Sequence, residues 1–305
     1  MLHKLPYTLH TRYKSIAIAW IVILIPPTIL NLALFYGLWY GQPHLDRILV
    51  LTIPTAVLGI FTIIGIAERI WKLTKKEPQF RLIGGGRYAL DIFQWGYFAA
   101  LIIISALITS ALARGDEDQD GHELQTRLVS LPAAVLMFFL ATLTLLSLIL
   151  NATEVKLPFR FGSLEKGNFI RPAVYYIVED VVAVDGNGGI EYREAWTKRY
   201  EQSEVFRKMI FELSLVWMVA FYLLAGVFAV LVMRLPWQAV YAVGWAGPFP
   251  VAGLLVVWTI FYVKAMLKEE QRIEELEAGD VGLDGNGRAP REGGDERTPL
   301  LGNGV

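Results

Sequence analysis

Six stretches of the chain are apolar over the length a bilayer demands, and charge brackets nearly every one. A transmembrane helix needs about 20 mostly apolar residues. The stretches are Ile16–Tyr40, Ile48–Ala67, Ile92–Ala113, Leu128–Leu150, Met209–Met233 and Trp237–Val263. Lys4, Arg12 and Lys14 precede the first, Arg47 and Glu68 flank the second, and Asp91 and Arg114 flank the third. Only Arg234-Leu-Pro236 separates the fifth from the sixth, so these two are expected as an antiparallel hairpin. The first run is 25 residues long. That exceeds the roughly 7–15 of a signal-peptide core, and no small-residue cleavage site follows, so it is expected to stay in the membrane. The expected fold class is all-α: an integral membrane bundle of six transmembrane helices with a small helical cytosolic loop subdomain.

Charge orients this bundle. Basic residues gather on the cytosolic side of membrane proteins. With the N-terminus inside, the four cytosolic segments hold 24 of the 28 Lys and Arg, leaving only Arg47, Arg114, Arg127 and Arg234 outside. Both termini are therefore expected in the cytosol, and the acidic Gly115–Glu123 on the opposite side. The chain divides accordingly. Residues 1–150 carry the first four helices and 151–208 the cytosolic loop. Residues 209–263 form the hairpin of helices 5 and 6, and 264–305 a tail that begins helical and becomes disordered.

Within the loop, Val174, Ile177, Val178 and Val181 recur at helical spacing, with Pro172 suited to a first turn and Gly186 to a stop. A second stripe, Tyr192, Ala195, Trp196, Arg199, Ser203, Phe206 and Ile210, runs into the fifth span. Two amphipathic helices are expected, packed on each other or on the membrane surface. The valine stripe should form one buried face, and Val174, Ile177, Val178, Val181 and Trp196 are the candidate partner-binding residues. A strand over Val174–Val184 is the alternative, with alternation broken at Glu179-Asp180. The carboxylates Glu179, Asp180, Glu191 and Glu194 read as a solvated helix face.

Composition narrows the function more by exclusion than by assertion. Hydrophobic residues are 54% and charged residues 19%, which excludes an ordinary cytosolic enzyme and a disordered chain. The net charge of −1 gives no basic field for nucleic acid. The chain has no cysteine, so no disulfide, thiolate metal site or cysteine nucleophile exists. The four histidines lie outside the apolar runs, and no ionisable residue sits mid-span; Glu212 and Asp91 stand near ends. Proton relays and many ion-coupled carriers depend on such residues. No phosphate-binding loop occurs. Counting an EF-hand from Asp185 puts Ile190 and Trp196 where Gly and Glu are needed, so Asp185–Gly189 reads as a turn. No catalytic, cofactor or metal residue is expected, and the chain is not expected to be an enzyme.

Inside the spans, Pro26-Pro27 and Pro54 free backbone carbonyls, either along a substrate path or at packed kinks. Gly244, Gly247 and Gly253 are expected to let helices approach closely, with Pro248 and Pro250 kinking the sixth span. Ser105, Thr109 and Ala113, with Ala106 and Ser110, repeat every four residues as a small-residue packing face, which also leaves room for self-association. Asn151-Ala-Thr153 fits a glycosylation acceptor but falls on the cytosolic side, where it is not used.

Two resemblances complete the reading. Asp295-Glu-Arg-Thr-Pro-Leu300-Leu301 resembles the acidic dileucine sorting signals of lysosomal and vacuolar membrane proteins. The likeness places Glu296 at the acidic position and Leu300 and Leu301 at the pair. It implies clathrin-adaptor-type sorting machinery as a partner beside the lipid bilayer, and a vacuolar or endolysosomal membrane as the address. The segment Arg171–Gly186, with Tyr192–Tyr200 and Phe206–Lys208, resembles a block in uncharacterised multi-span membrane proteins of filamentous fungi. That likeness implies a fungal endomembrane protein and carries no activity. The expected function is a non-catalytic membrane interaction or scaffold protein; the alternative is a channel-like or facilitative transporter of a neutral or lipid-like solute.

Overall fold

The computed structural model describes residues 25–75, 78–113 and 119–285. Among these residues every regular element is helical, and the strand alternative for Val174–Val184 gives way to helix. A single π-turn, Pro26–Leu30, leads into α1 (Asn31–Gly41). Then follow α2 (Arg47–Thr74), α3 (Ile92–Leu112), α4 (Gln119–Val129) and α5 (Pro132–Ala152). The loop segment holds α6 (Ala173–Asp180), a π-turn at Val181–Asp185, and α7 (Gly189–Gln202). The chain continues through α8 (Glu204–Arg234), α9 (Trp237–Ala246) and α10 (Pro248–Gly285).

Five segments are long and apolar enough to cross a membrane: α2, α3, α5, α8, and α9 with α10 taken together. Large apolar side chains on them point outward, with Ile63, Ile102, Leu254 and Phe261 between 67% and 72% exposed. Water would not tolerate so many at once, whereas lipid tails are their natural solvent. We read the chain as an integral membrane protein. The first expected span begins outside the described residues; its described part is the Pro26–Leu30 π-turn and α1.

Local chemistry sets the helix ends. Asp46 caps α2 by accepting from the Ile48 N–H, Asp91 caps α3 from Gln94, and Ser203 caps α8 from Phe206. The expected fourth span starts too early: Leu128 and Val129 close α4, and Pro132 opens α5 at the position where its missing N–H costs nothing. Arg127 of α4 donates to the Val232 carbonyl at 2.6 Å, satisfying an open acceptor in the last turn of α8.

Three clusters stack along the bundle. Phe35, Val50, Leu51, Ala111, Val129 and Tyr241 fill one end. Ala134 and Met137 of α5 meet Ala225 and Phe228 of α8 in the middle. The third and largest lies at the loop subdomain, around Tyr175, Tyr192, Trp196 and Phe206. The backbone at Pro54 of α2 is packed, not open: Pro54 is buried, and the Thr55 hydroxyl donates to the Leu51 carbonyl at 3.0 Å. Gly244 lies against the Ser130 backbone, and a Cβ there would stand 2.8 Å from the Ser130 Cβ. Gly247 is similarly tight, and it interrupts the span for one residue between α9 and α10 while keeping helical φ and ψ of −55° and −42°. Gly253 faces open space, so it is not a close-approach glycine. The small-residue face also differs from expectation: Ser105, Ala106, Thr109 and Ser110 are exposed, not packed against a neighbouring helix among the described residues.

Candidate functional site

The loop subdomain reverses two sequence expectations. The valine stripe of α6 is not its buried face. Tyr175, Tyr176, Glu179 and Asp180 are buried, while Val174, Val178 and Val181 are half-buried and Ile177 is 38% exposed. The reason is Arg193 of α7, which is wholly buried and draws the carboxylates inward. Glu191 and Glu194 remain exposed as read from the sequence, but Glu179 and Asp180 are not solvated. Trp196, expected to meet a partner, is core: it is 5% exposed, and its indole N–H donates to the Tyr175 carbonyl at 3.2 Å.

Around Arg193 lies an ion network shielded from solvent except at Asp185, whose side chain is 45% exposed. Its Nη1 donates to Asp180 Oδ1 at 2.6 Å and to Glu179 Oε1 at 3.1 Å, and its Nη2 stands 3.8 Å from Asp91 Oδ2. Arg69, at the end of α2, donates to Asp91 Oδ2 at 2.6 Å and also pairs with Asp185. Its guanidinium sits over the Phe93 ring, 4.7 Å from the centroid. Asp180 Oδ2 accepts from the Phe93 backbone N–H at 3.1 Å. The network thus pins α6 and α7 to the ends of α2 and α3. One hint of it was visible beforehand, Asp91 standing as a charge just before an apolar run; Arg69 and Arg193 counted only among the cytosolic basic residues.

Four carboxylates face two guanidinium groups here, an excess of acidic groups in a buried place. Burial first, and the neighbouring Asp91 second, push Asp180 up to about 7 despite Arg193 beside it. Burial also raises Asp185 against the pull of Arg69. A carboxyl group whose folded pKa is raised contributes full stability below its unfolded pKa and loses it as pH rises through the folded one. Stability is therefore expected to fall between about pH 4, where an unfolded aspartate ionises, and about pH 7, where Asp180 ionises inside the network. Asp180→Asn should flatten that slope, as measured by thermal unfolding at a series of pH values. A slope unchanged in the variant would show that Asp180 does not carry the titration. Among the described residues no group of three or more His, Asp or Glu is placed to hold a metal ion.

Beside the network runs a cleft of about 2220 Å³, far larger than the roughly 300–1,000 Å³ of small-molecule pockets. Its walls are faces of α3, α5, α8 and α10. Its end is closed by the loop around Phe159–Gly162 and by the α6 stripe, including Val174, Ile177 and Val178. Along α5 it reaches from Leu136 to Leu150, about 20 Å at 1.5 Å per residue. Glycine shapes the closed end. Gly84 and Gly162 have positive φ, and a Cβ at Gly162 would stand 2.7 Å from Ile92 Cδ1.

The polar groups of the helices that a solute path would use, Asn31, Ser105, Thr109, Thr142 and Thr144, do not gather in this cleft. Asn31 is buried at the far end, accepting from the Tyr241 hydroxyl at 2.9 Å. Thr142 is exposed and bonds the Phe138 carbonyl, and Ser105 and Thr109 face outward. Of that set only Thr144 lines the cleft. Glu296, Leu300 and Leu301 lie outside the described residues.

No curated protein and no solved structure matches the chain. A family model described as "Domain of unknown function (DUF8766)" matches residues 2–273, nearly the whole helical part. The chain is a member of this uncharacterised domain family, DUF8766.

Proposed function

We propose that this is a non-catalytic multi-pass membrane protein whose cleft holds the apolar part of a lipid-like molecule. The observation that carries the reading is the cleft itself: long, wide and lined almost wholly by apolar side chains at the depth of lipid tails. The α6 stripe then has a use beyond core packing, since Val174 and Val178, which pack on the Tyr175–Trp196 cluster, and the exposed Ile177 also present apolar surface to whatever fills the cleft. Both termini cytosolic, a fungal endomembrane origin, and delivery to the vacuolar membrane through Glu296, Leu300 and Leu301 complete the proposal.

The test is native mass spectrometry of the full chain purified in mild detergent. One lipid-sized molecule per chain is expected to survive delipidation. Gly96 lines the cleft, and a Cβ added there would meet no atom within 4 Å, so Gly96→Phe adds a ring to the cleft wall at a position with room for its first side-chain atom. That variant should keep its thermal stability and lose the bound molecule. A wild-type chain that retains nothing would overturn the reading and leave an interaction protein without a ligand.

A further inference from the structure

The cleft's charged lining has one sign. Arg160 and Lys264 are the charged residues among those that line it, and no Asp or Glu accompanies them there. Both stand at the end that carries the loop subdomain, Arg160 in the segment between α5 and α8 and Lys264 on α10, beyond the apolar run Trp237–Val263.

The hydroxyls deeper in the cleft are already engaged. Thr144 donates to the Leu140 carbonyl at 2.7 Å. Ser147 donates to the Thr144 carbonyl and accepts from the Ala173 N–H at 2.8 Å. Thr259 donates to the Leu255 carbonyl and accepts from the Trp217 indole at 3.0 Å. The interior therefore offers little to a head group. Arg160 is different. It donates to the carbonyls of Gly84, at 2.6 Å, and Ile83, which hold its guanidinium at the rim, and it is 35% exposed. Its nearest carboxylate, Glu165 Oε1, is 4.0 Å away on a largely exposed side chain. A guanidinium has five N–H donors, so two carbonyls leave donors open. Lys264 is exposed and has no ion pair among the described residues, with three donors on its ammonium.

We infer that the molecule held in the cleft is a membrane lipid with an anionic head group, its phosphate set against Arg160 and Lys264 and its chains laid along α3 and α5. The inference rests on the lipid-binding reading above and adds the class of ligand. The lipid comes from the surrounding bilayer, since the cleft faces the same apolar medium as the outward side chains of the bundle. A phosphate diester supplies the acceptor oxygens and the charge that two cations without carboxylate partners in the cleft lack. A zwitterionic lipid would bring its own ammonium to the same rim and gain less.

The experiment is a competition on the full chain in detergent, with dioleoyl phosphatidylglycerol and dioleoyl phosphatidylcholine in equal amounts and occupancy read by native mass spectrometry. The two probes share their tails, so the ratio reports the head group alone. The wild type is expected to favour phosphatidylglycerol by about three- to tenfold, the size that one or two partly exposed charge pairs supply. Arg160→Gln with Lys264→Gln should bring the ratio close to one while total occupancy persists. Lys268→Gln, a neighbouring charge outside the lining, should leave the ratio unchanged. Should the double variant fail to fold, Lys264→Gln alone, at an exposed position, should still lower the ratio. Soluble glycerol phosphate should not displace the lipid, which separates head-plus-tail recognition from a free phosphate site; displacement by it would overturn the assignment of a membrane lipid. Equal occupancy by the two lipids in the wild type would overturn this inference and leave the lipid-binding reading intact. Retention of neither would overturn both.

Discussion

Arg193→Ala is expected to destabilise the protein by about 3–5 kcal/mol, the range seen when one partner of a buried ion pair is removed. Arg193 is wholly buried and contacts Glu179, Asp180 and Asp91 at once. Deleting it leaves those carboxylates with Arg69 as their remaining guanidinium in the network. Uptake of a proton by Asp180 would soften the loss at low pH, so the deficit should grow as pH rises. Thermal unfolding of the purified chain, with limited proteolysis of the loop between α5 and α8, measures it. Combining Arg193→Ala with Asp180→Asn should cost less than the sum of the two, because the second change removes a charge the first had orphaned. A loss under about 1 kcal/mol would mean that water reaches the network, against its burial.

The second large effect separates core from cleft. Trp196→Ala is expected to cost about 3–5 kcal/mol, as buried aromatic truncations do. Its ring lies 4.9 Å from the Phe206 centroid and 5.7 Å from that of Tyr192, and its N–H serves the Tyr175 carbonyl. Ile177→Ala, by contrast, should shift stability by no more than about 0.5 kcal/mol, as at other partly exposed positions. It should still lower lipid occupancy, because Ile177 lines the cleft. Unfolding midpoints and native mass spectra of the two variants read the split. If Ile177→Ala proved as costly as Trp196→Ala, the valine stripe would be the core face that its spacing first suggests.

Much of the bundle was legible because lipid imposes a length and an apolar threshold that sequence alone displays. The runs at Ile48, Ile92, Met209 and Trp237 correspond to α2, α3, α8 and the α9–α10 pair. Asp91, read from the sequence only as a flanking charge, is the cap at the start of α3. The subdomain was harder. Helical spacing at Val174, Ile177 and Val178 marks an apolar face but does not say whether that face meets protein or lipid, since both media accept it. The carboxylates Glu179 and Asp180 read as solvated because exposure is the ordinary fate of an acidic residue, and their partner Arg193 lies on a different helix.

Residue content and order are enough to assign the medium of this protein: where the chain is apolar for about 20 residues, helix in lipid is the state that satisfies every backbone group. They also exclude cysteine chemistry within this sequence, because the lack of cysteine is a property of residues, not of their arrangement. The three-dimensional packing settles the rest: which side of α6 is buried, that Arg69, Asp91 and Arg193 meet, and that Arg160 and Lys264 stand at the rim of one cleft. The physical reason is that a periodic pattern fixes a helix and its faces from near neighbours, three or four residues apart. The pairing of faces depends on contacts such as Asp91 with Arg193, which lie far apart in sequence and are set by how the helices close on one another.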